Sequence, residues 1–147
     1  MIADFRDLLS GFIAGGVRFL VVGAHALAAH GVPRVTGDLD VWVEPTTENA
    51  ARVFRSLAAF GAPIATLIVR EADFSAPDKV IQLGLPPYRI DIMTSISGVV
   101  FADAWGGRLN GTLFEVGVAF LGLAEFIQNK RACGRPKDLA DLKALGA

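Results

Sequence analysis

Asp38 and Asp40 stand two residues apart in a stretch, Asp38-Leu39-Asp40-Val41-Trp42-Val43-Glu44, that alternates polar and apolar. Side chains on a strand point to alternate faces, so the two acids project the same way while Leu39, Val41 and Val43 turn toward a core. Like charges held that close repel and raise one another's pKa unless a proton or a bound cation compensates. Carboxylate oxygens are the hard ligands that Mg²⁺ selects, which makes a divalent ion the economical explanation. A third acid, Asp91, lies between Ile90 and Ile92 on a second strand-like run. It reaches the same point if the two strands are neighbours. Upstream, Val22-Gly23-Ala24 is a small-residue turn opening a helix. Backbone N–H groups exposed there favour anions such as phosphate. Phosphate beside a metal points to nucleotide chemistry.

The elements that must position these residues are readable from periodicity. Ile2, Phe5, Leu8, Leu9, Phe12 and Ile13 form one apolar helix face that Gly15-Gly16 ends. Phe19 to Val22 reads as a buried strand stopped by Gly23, and Ala24 to His30 as a short helix. Gly31, Pro33 and Gly37 punctuate a loop before the Asp38–Glu44 strand. Thr46 or Thr47 caps a helix running to about Phe60, and Ile64 to Ser75 is left as helical turns. Lys79–Leu83 and Tyr88–Met93 read as a hairpin joined by Gly84-Leu85-Pro86-Pro87. Phe101 to Trp105 suits a short helix. Leu113 to Val118 with Phe120 reads as a strand, followed by helices over Leu123–Cys133 and Lys137–Leu145.

A chain of 147 residues favours one domain, residues 1–147. With 52% hydrophobic and 20% charged residues it is too apolar for disorder. Fourteen basic against fifteen acidic residues give a net charge of −1, so any nucleic-acid contact must be local. Cys133 is alone and no Cys/His cluster has zinc spacing, which fits a reducing compartment. Acids near the N-terminus do not suit an export signal, and Gly, His and Pro interrupt the apolar runs before they reach membrane-spanning length. The expectation is a cytoplasmic protein with no membrane partner.

Strand, glycine turn, helix, Asp-x-Asp, then a later lone Asp is the order of polymerase-beta-type nucleotidyltransferases, which this chain resembles. The pattern reads Val22-Gly23-Ala24, a spacer from His25 to Gly37, then Asp38-Leu39-Asp40-Val41, with Ala24 where that superfamily usually has Gly or Ser. A narrower likeness runs through Gly23 to Gly31, Pro33 to Asp40, Arg89 to Thr94, Lys130-Arg131 and Gly134 to Leu142. These segments are similar to small bacterial nucleotidyltransferase-like proteins related to the toxin component of abortive-infection toxin–antitoxin systems. The resemblance implies an α+β nucleotidyltransferase fold, a mixed sheet flanked by helices at both chain ends. It implies that Asp38 and Asp40 hold two Mg²⁺ ions, Mn²⁺ serving as well. Asp91 would ligate the one that activates an acceptor hydroxyl. An NTP is the implied donor; RNA, a protein or a small molecule is the acceptor; a cognate antitoxin is the implied partner.

Other residues carry two readings. His25 and His30, five apart, do not share a helix face, so they make no metal site. They suit hydrogen bonds near the two ends of their helix, with a nucleotide contact as the alternative for His25. Arg34 and Thr36 either bind phosphate or neutralise the paired acids. Trp42 suits packing. Lys130, Arg131, Arg135 and Lys137 form a basic cluster, within which the family likeness places Lys130 near the triphosphate, while Asp138 and Asp141 brace Arg135 or Lys130. The rival functions are a catalytically inactive nucleotide- or partner-binding protein of the same fold and, behind it, a metal-dependent phosphohydrolase.

Overall fold

The computed structural model describes residues 2–85 and 87–147. Helix α1 (Ile2–Ala14) buries Phe5, Leu8, Leu9 and Phe12 in one stripe, as its spacing requires. Strand β1 (Phe19–Val22) is buried along its whole length and passes directly into helix α2 (Gly23–Ala29). Strand β2 (Asp38–Val43) follows, then helix α3 (Thr47–Phe60). Thr46 caps α3 by accepting from the Asn49 N–H at 3.2 Å, and Gly61 ends it in the left-handed conformation. Asn49 is itself buried. Its amide accepts from the Arg18 N–H and donates to the Arg18 and Glu44 carbonyls, tying α3 to both strands at one end of the β1–β2 pair.

A short helix α4 (Ile64–Leu67) and a single 3₁₀ turn (Glu71–Phe74) occupy the stretch expected to be helical turns. Strands β3 (Val80–Leu85) and β4 (Tyr88–Met93) form the expected hairpin. The β3 strand runs two residues past its expected end, through Gly84 and Leu85; the left-handed backbone of Gly84 keeps it paired to the turn. Pro86, at the tip of that connection, lies outside the described residues. Helix α5 (Phe101–Gly106) matches its expected place.

The region expected as one strand around Gly117 is instead a second hairpin, β5 (Leu109–Leu113) and β6 (Val116–Phe120). Its turn is Phe114-Glu115, both with positive φ. Two positive-φ residues at a hairpin turn ordinarily announce themselves as Asn-Gly or Asp-Gly, and this pair gives no such signal. Phe114 is held there by its ring contacts with Phe5 and His25. Helices α6 (Leu123–Cys133) and α7 (Pro136–Ala144) complete the chain.

The six strands make one mixed sheet in the order β3-β4-β2-β1-β6-β5. Strand β2 is antiparallel to β1 and parallel to β4. Leu39, Val41, Val43, Ile90 and Ile92 are buried, with Leu83 and Ile90 facing α1 and α3. Asp38, Asp40, Arg89 and Asp91 project from the other face. The architecture is therefore α+β, with helices at both ends of the chain against a mixed sheet. No helix among the described residues is long and apolar enough to cross a membrane.

Candidate active site

The parallel register of β2 and β4 aligns Asp38 with Arg89 and Asp40 with Asp91. Residues 51 positions apart are thus immediate neighbours, and all three acids share one patch of one sheet face. That register depends on close backbone approach at the strand entrance. The Arg89 N–H donates to the Gly37 carbonyl at 3.2 Å, and a Cβ on Gly37 would run into the Pro87 carbonyl. Thr36 supports the same entrance by accepting from the Asp38 N–H at 3.0 Å through its hydroxyl.

Gly23, at the β1–α2 junction, has φ 67° and lies against the Asp40 carboxylate. Any side chain at Gly23 would collide with that carboxylate, so the glycine of the turn and the second acid are matched parts. Burial, reinforced by the charges of Asp91 and Asp38, pushes the Asp40 carboxyl up to about 6. The acid patch carries more negative charge than its surroundings neutralise.

Arg89 supplies a cation within this patch. Its Nε lies 2.9 Å from Asp91 Oδ1 and its Nη2 donates to Asp91 Oδ2 at 3.1 Å, while the same Nη2 is 3.5 Å from Asp38 Oδ2. The carboxylate pairing raises the already high pKa of Arg89. Arg89 thus fills the neutralising role that Arg34 and Thr36 offered in the sequence. Its position was readable: two residues before Asp91 on the same strand, it must share that acid's face. Gln82, opposite Asp91 across the β3–β4 hairpin, completes the row.

Gly23, Ala24, Arg34, Thr36, Asp38, Asp40 and Lys130 line a single cleft of about 540 Å³. Asp91 sits beside Asp40, only 8% exposed. The far wall comes from α6 and α7 through Asn129, Lys130, Arg135 and Lys137, and Asp78 joins the rim. Lys130 is held at 3.2 Å from Asp138 and 3.6 Å from Asp141, and Arg135 pairs with Asp138 at 2.7 Å, the bracing role expected of the two acids. Those contacts, the Arg135 hydrogen bond foremost, hold the Asp138 carboxyl down at about 2. Arg34 reaches α7 instead of the β2 acids, pairing with Asp141 at 2.5 Å. That ion pair ties the 31–37 loop to the last helix across the cleft.

His25 lies outside the cleft lining. Its ring meets Phe114 edge-on, its Nε2 is buried without a hydrogen-bond partner among the described residues, and burial lowers its pKa. His30 Nε2 bonds the Leu121 carbonyl at 2.7 Å. His25 thus packs against Phe114, and His30 satisfies a backbone carbonyl. Trp42 is buried against Phe101, 5.0 Å between ring centroids, as expected for packing. A larger cleft of about 820 Å³ opens on the opposite side, between α1, α3 and the β3–β4 hairpin, but none of the three acids reaches it.

The donor set suits a hard divalent cation: three carboxylates, one of them with a raised pKa, beside a cationic wall. As the side chains stand, no group of three or more His, Cys, Asp or Glu among the described residues is arranged to hold a metal ion. Both Asp91 oxygens are instead paired with the Arg89 guanidinium.

No protein-family model and no curated protein matches the chain. Among solved structures it is similar to a Thermotoga maritima protein described as a putative nucleotidyltransferase. The TM-score is 0.64 at 19% identity, over 95% of this chain and 88% of that one. At that identity the likeness is one of fold, and the fold is nucleotidyltransferase-like.

Proposed function

We propose that this protein is a Mg²⁺-dependent nucleotidyltransferase that moves a nucleoside monophosphate from an NTP to a hydroxyl. The observation that carries the reading is the in-register pairing of Asp40 with Asp91, with Asp38 beside them, where Asp38 and Asp40 line a cleft whose opposite wall is basic. Asp38, Asp40 and Asp91 would hold the divalent ions, which lower the pKa of the attacking hydroxyl and offset charge on the triphosphate. In the reaction the acceptor oxygen bonds to the α-phosphorus, the bond to the bridging oxygen breaks, and pyrophosphate leaves while the hydroxyl proton passes to solvent. Gly23 and Ala24 let a phosphate approach the main chain, and Lys130 faces the cleft from α6, fixed by Asp138 and Asp141. Thr36 holds Asp38 in place, and Arg34 keeps the neighbouring loop closed on α7.

RNA ends, protein hydroxyls and small molecules are the acceptor classes. Labelled NTPs incubated with total cell extract test the reading: label enters an acceptor with wild type and falls at least a hundredfold with Asp40→Ala. Equal labelling by both removes Asp40 from the site, and no labelling by either removes the transferase reading. A toxin role, paired with an antitoxin, requires that expression of wild type arrest growth and that Asp40→Ala relieve the arrest.

One observation favours a second reading, a nucleotide- or partner-binding protein without turnover: Arg89 already stands among the carboxylates. Calorimetric NTP binding with no pyrophosphate release under varied acceptors would select it.

A further inference from the structure

We infer that Arg89 is a tethered counter-cation that holds the acid cluster together until a divalent ion displaces it, so that metal loading and release of the guanidinium are a single exchange. The inference rests on the proposed metal role of the three acids and concerns how that site is gated.

Both oxygens of Asp91 lie within 3.1 Å of one guanidinium, whose Nη2 also stands 3.5 Å from Asp38 Oδ2. Three of the six carboxylate oxygens in the cluster are therefore turned to Arg89. The planar fork of an arginine matches a carboxylate in this way, and a lysine cannot reproduce it. Arg89 is positioned by the backbone as well as by charge. It shares a strand face with Asp91 and stands directly opposite Asp38 in the parallel register, so folding delivers it to the cluster automatically. One positive charge against three negative ones leaves the demand for a cation unmet. The cluster is kept assembled yet remains open to competition.

A divalent ion entering between Asp38 and Asp91 meets the guanidinium as a like charge in a half-enclosed site, where repulsion is screened less than in water. Displacement frees Arg89 beside Asp38, which itself lines the cleft. Two acids of the far wall, Asp138 and Asp141, are already paired with Lys130, Arg135 and Arg34.

The exchange differs in sign from simple positioning of Asp91, in which the guanidinium stays bound and helps the metal. Exchange predicts that Arg89→Gln binds Mn²⁺ about tenfold more tightly than wild type, the direction set by removal of a like charge. It also predicts lower thermal stability for the metal-free variant, restored by saturating Mn²⁺. Arg89→Lys, which keeps the charge and loses the fork, should fall between the two.

A measurement on wild type needs no variant to fold. In ¹⁵N spectra the Arg89 Nε–H signal should lose its ion-pair shift and exchange faster with water as Mg²⁺ is added. An unchanged Nε–H signal at saturating Mg²⁺, or weaker Mn²⁺ binding by Arg89→Gln, overturns the exchange while leaving the metal reading intact. Absence of Mg²⁺ and Mn²⁺ binding in both wild type and Arg89→Gln overturns the metal reading itself, and the exchange with it.

Discussion

Asp40 bears the heaviest electrostatic load of the three acids, lying between Gly23, Asp38 and Asp91. Its folded pKa of about 6 is above the value of an unfolded aspartate. The native state therefore binds more protons than the unfolded one between about pH 4 and 6, and stability falls as pH rises through that window. Asp40→Asn removes the penalty. It should raise stability at pH 7.5 by roughly 1–2 kcal/mol, discounted for partial solvent contact. The gain should shrink toward pH 4, and urea unfolding at both pH values checks it. Gly23→Ala should act oppositely: positive φ and a clash with the Asp40 carboxylate together cost about 1–3 kcal/mol in the same assay. The facing of Asp38 and Asp40 was legible from alternation alone. That Asp91 meets Asp40 was not, because parallel partners 51 residues apart leave no local periodic trace.

At the scale of elements, the α6–α7 corner acts as a brace for the cleft wall. Asp138 is fully buried and contacts Lys130, the Arg135 side chain and the Arg135 N–H. Asp138→Asn leaves a mostly buried lysine short of its counter-charge and should destabilise the fold by about 3 kcal/mol, read from thermal or urea unfolding. At the other end of the sheet, Thr46→Ala should cost about 1 kcal/mol through loss of the α3 cap, without altering metal binding. Most elements could be read before the structure because their periods, caps and terminal glycines agree: α1, α3, α6 and the β3–β4 hairpin are such cases. The β5–β6 hairpin escaped because Phe114-Glu115 is stabilised by ring packing with Phe5 and His25, a tertiary contact overriding weak local turn chemistry.

On the scale of the whole molecule, ligands that select the folded cleft must stabilise it by mass action. Under the proposed metal role, Mg²⁺ at about a hundred times its dissociation constant should add roughly 2.7 kcal/mol. For a domain of this size that is a rise in melting temperature on the order of 5–10 °C. The shift should vanish in Asp40→Asn and Asp91→Asn variants. Equal shifts in all three proteins would place the ion elsewhere.

The cleft draws on β1, β2, β4, the 31–37 loop and both final helices, with Arg34 bound to Asp141 more than a hundred residues later in the chain. Lys130, Arg135 and the 31–37 loop thus all lean on two acids of α7, Asp138 and Asp141. A nick that removed α7 would unclasp that wall and free the loop while sparing the strands that carry the three acids.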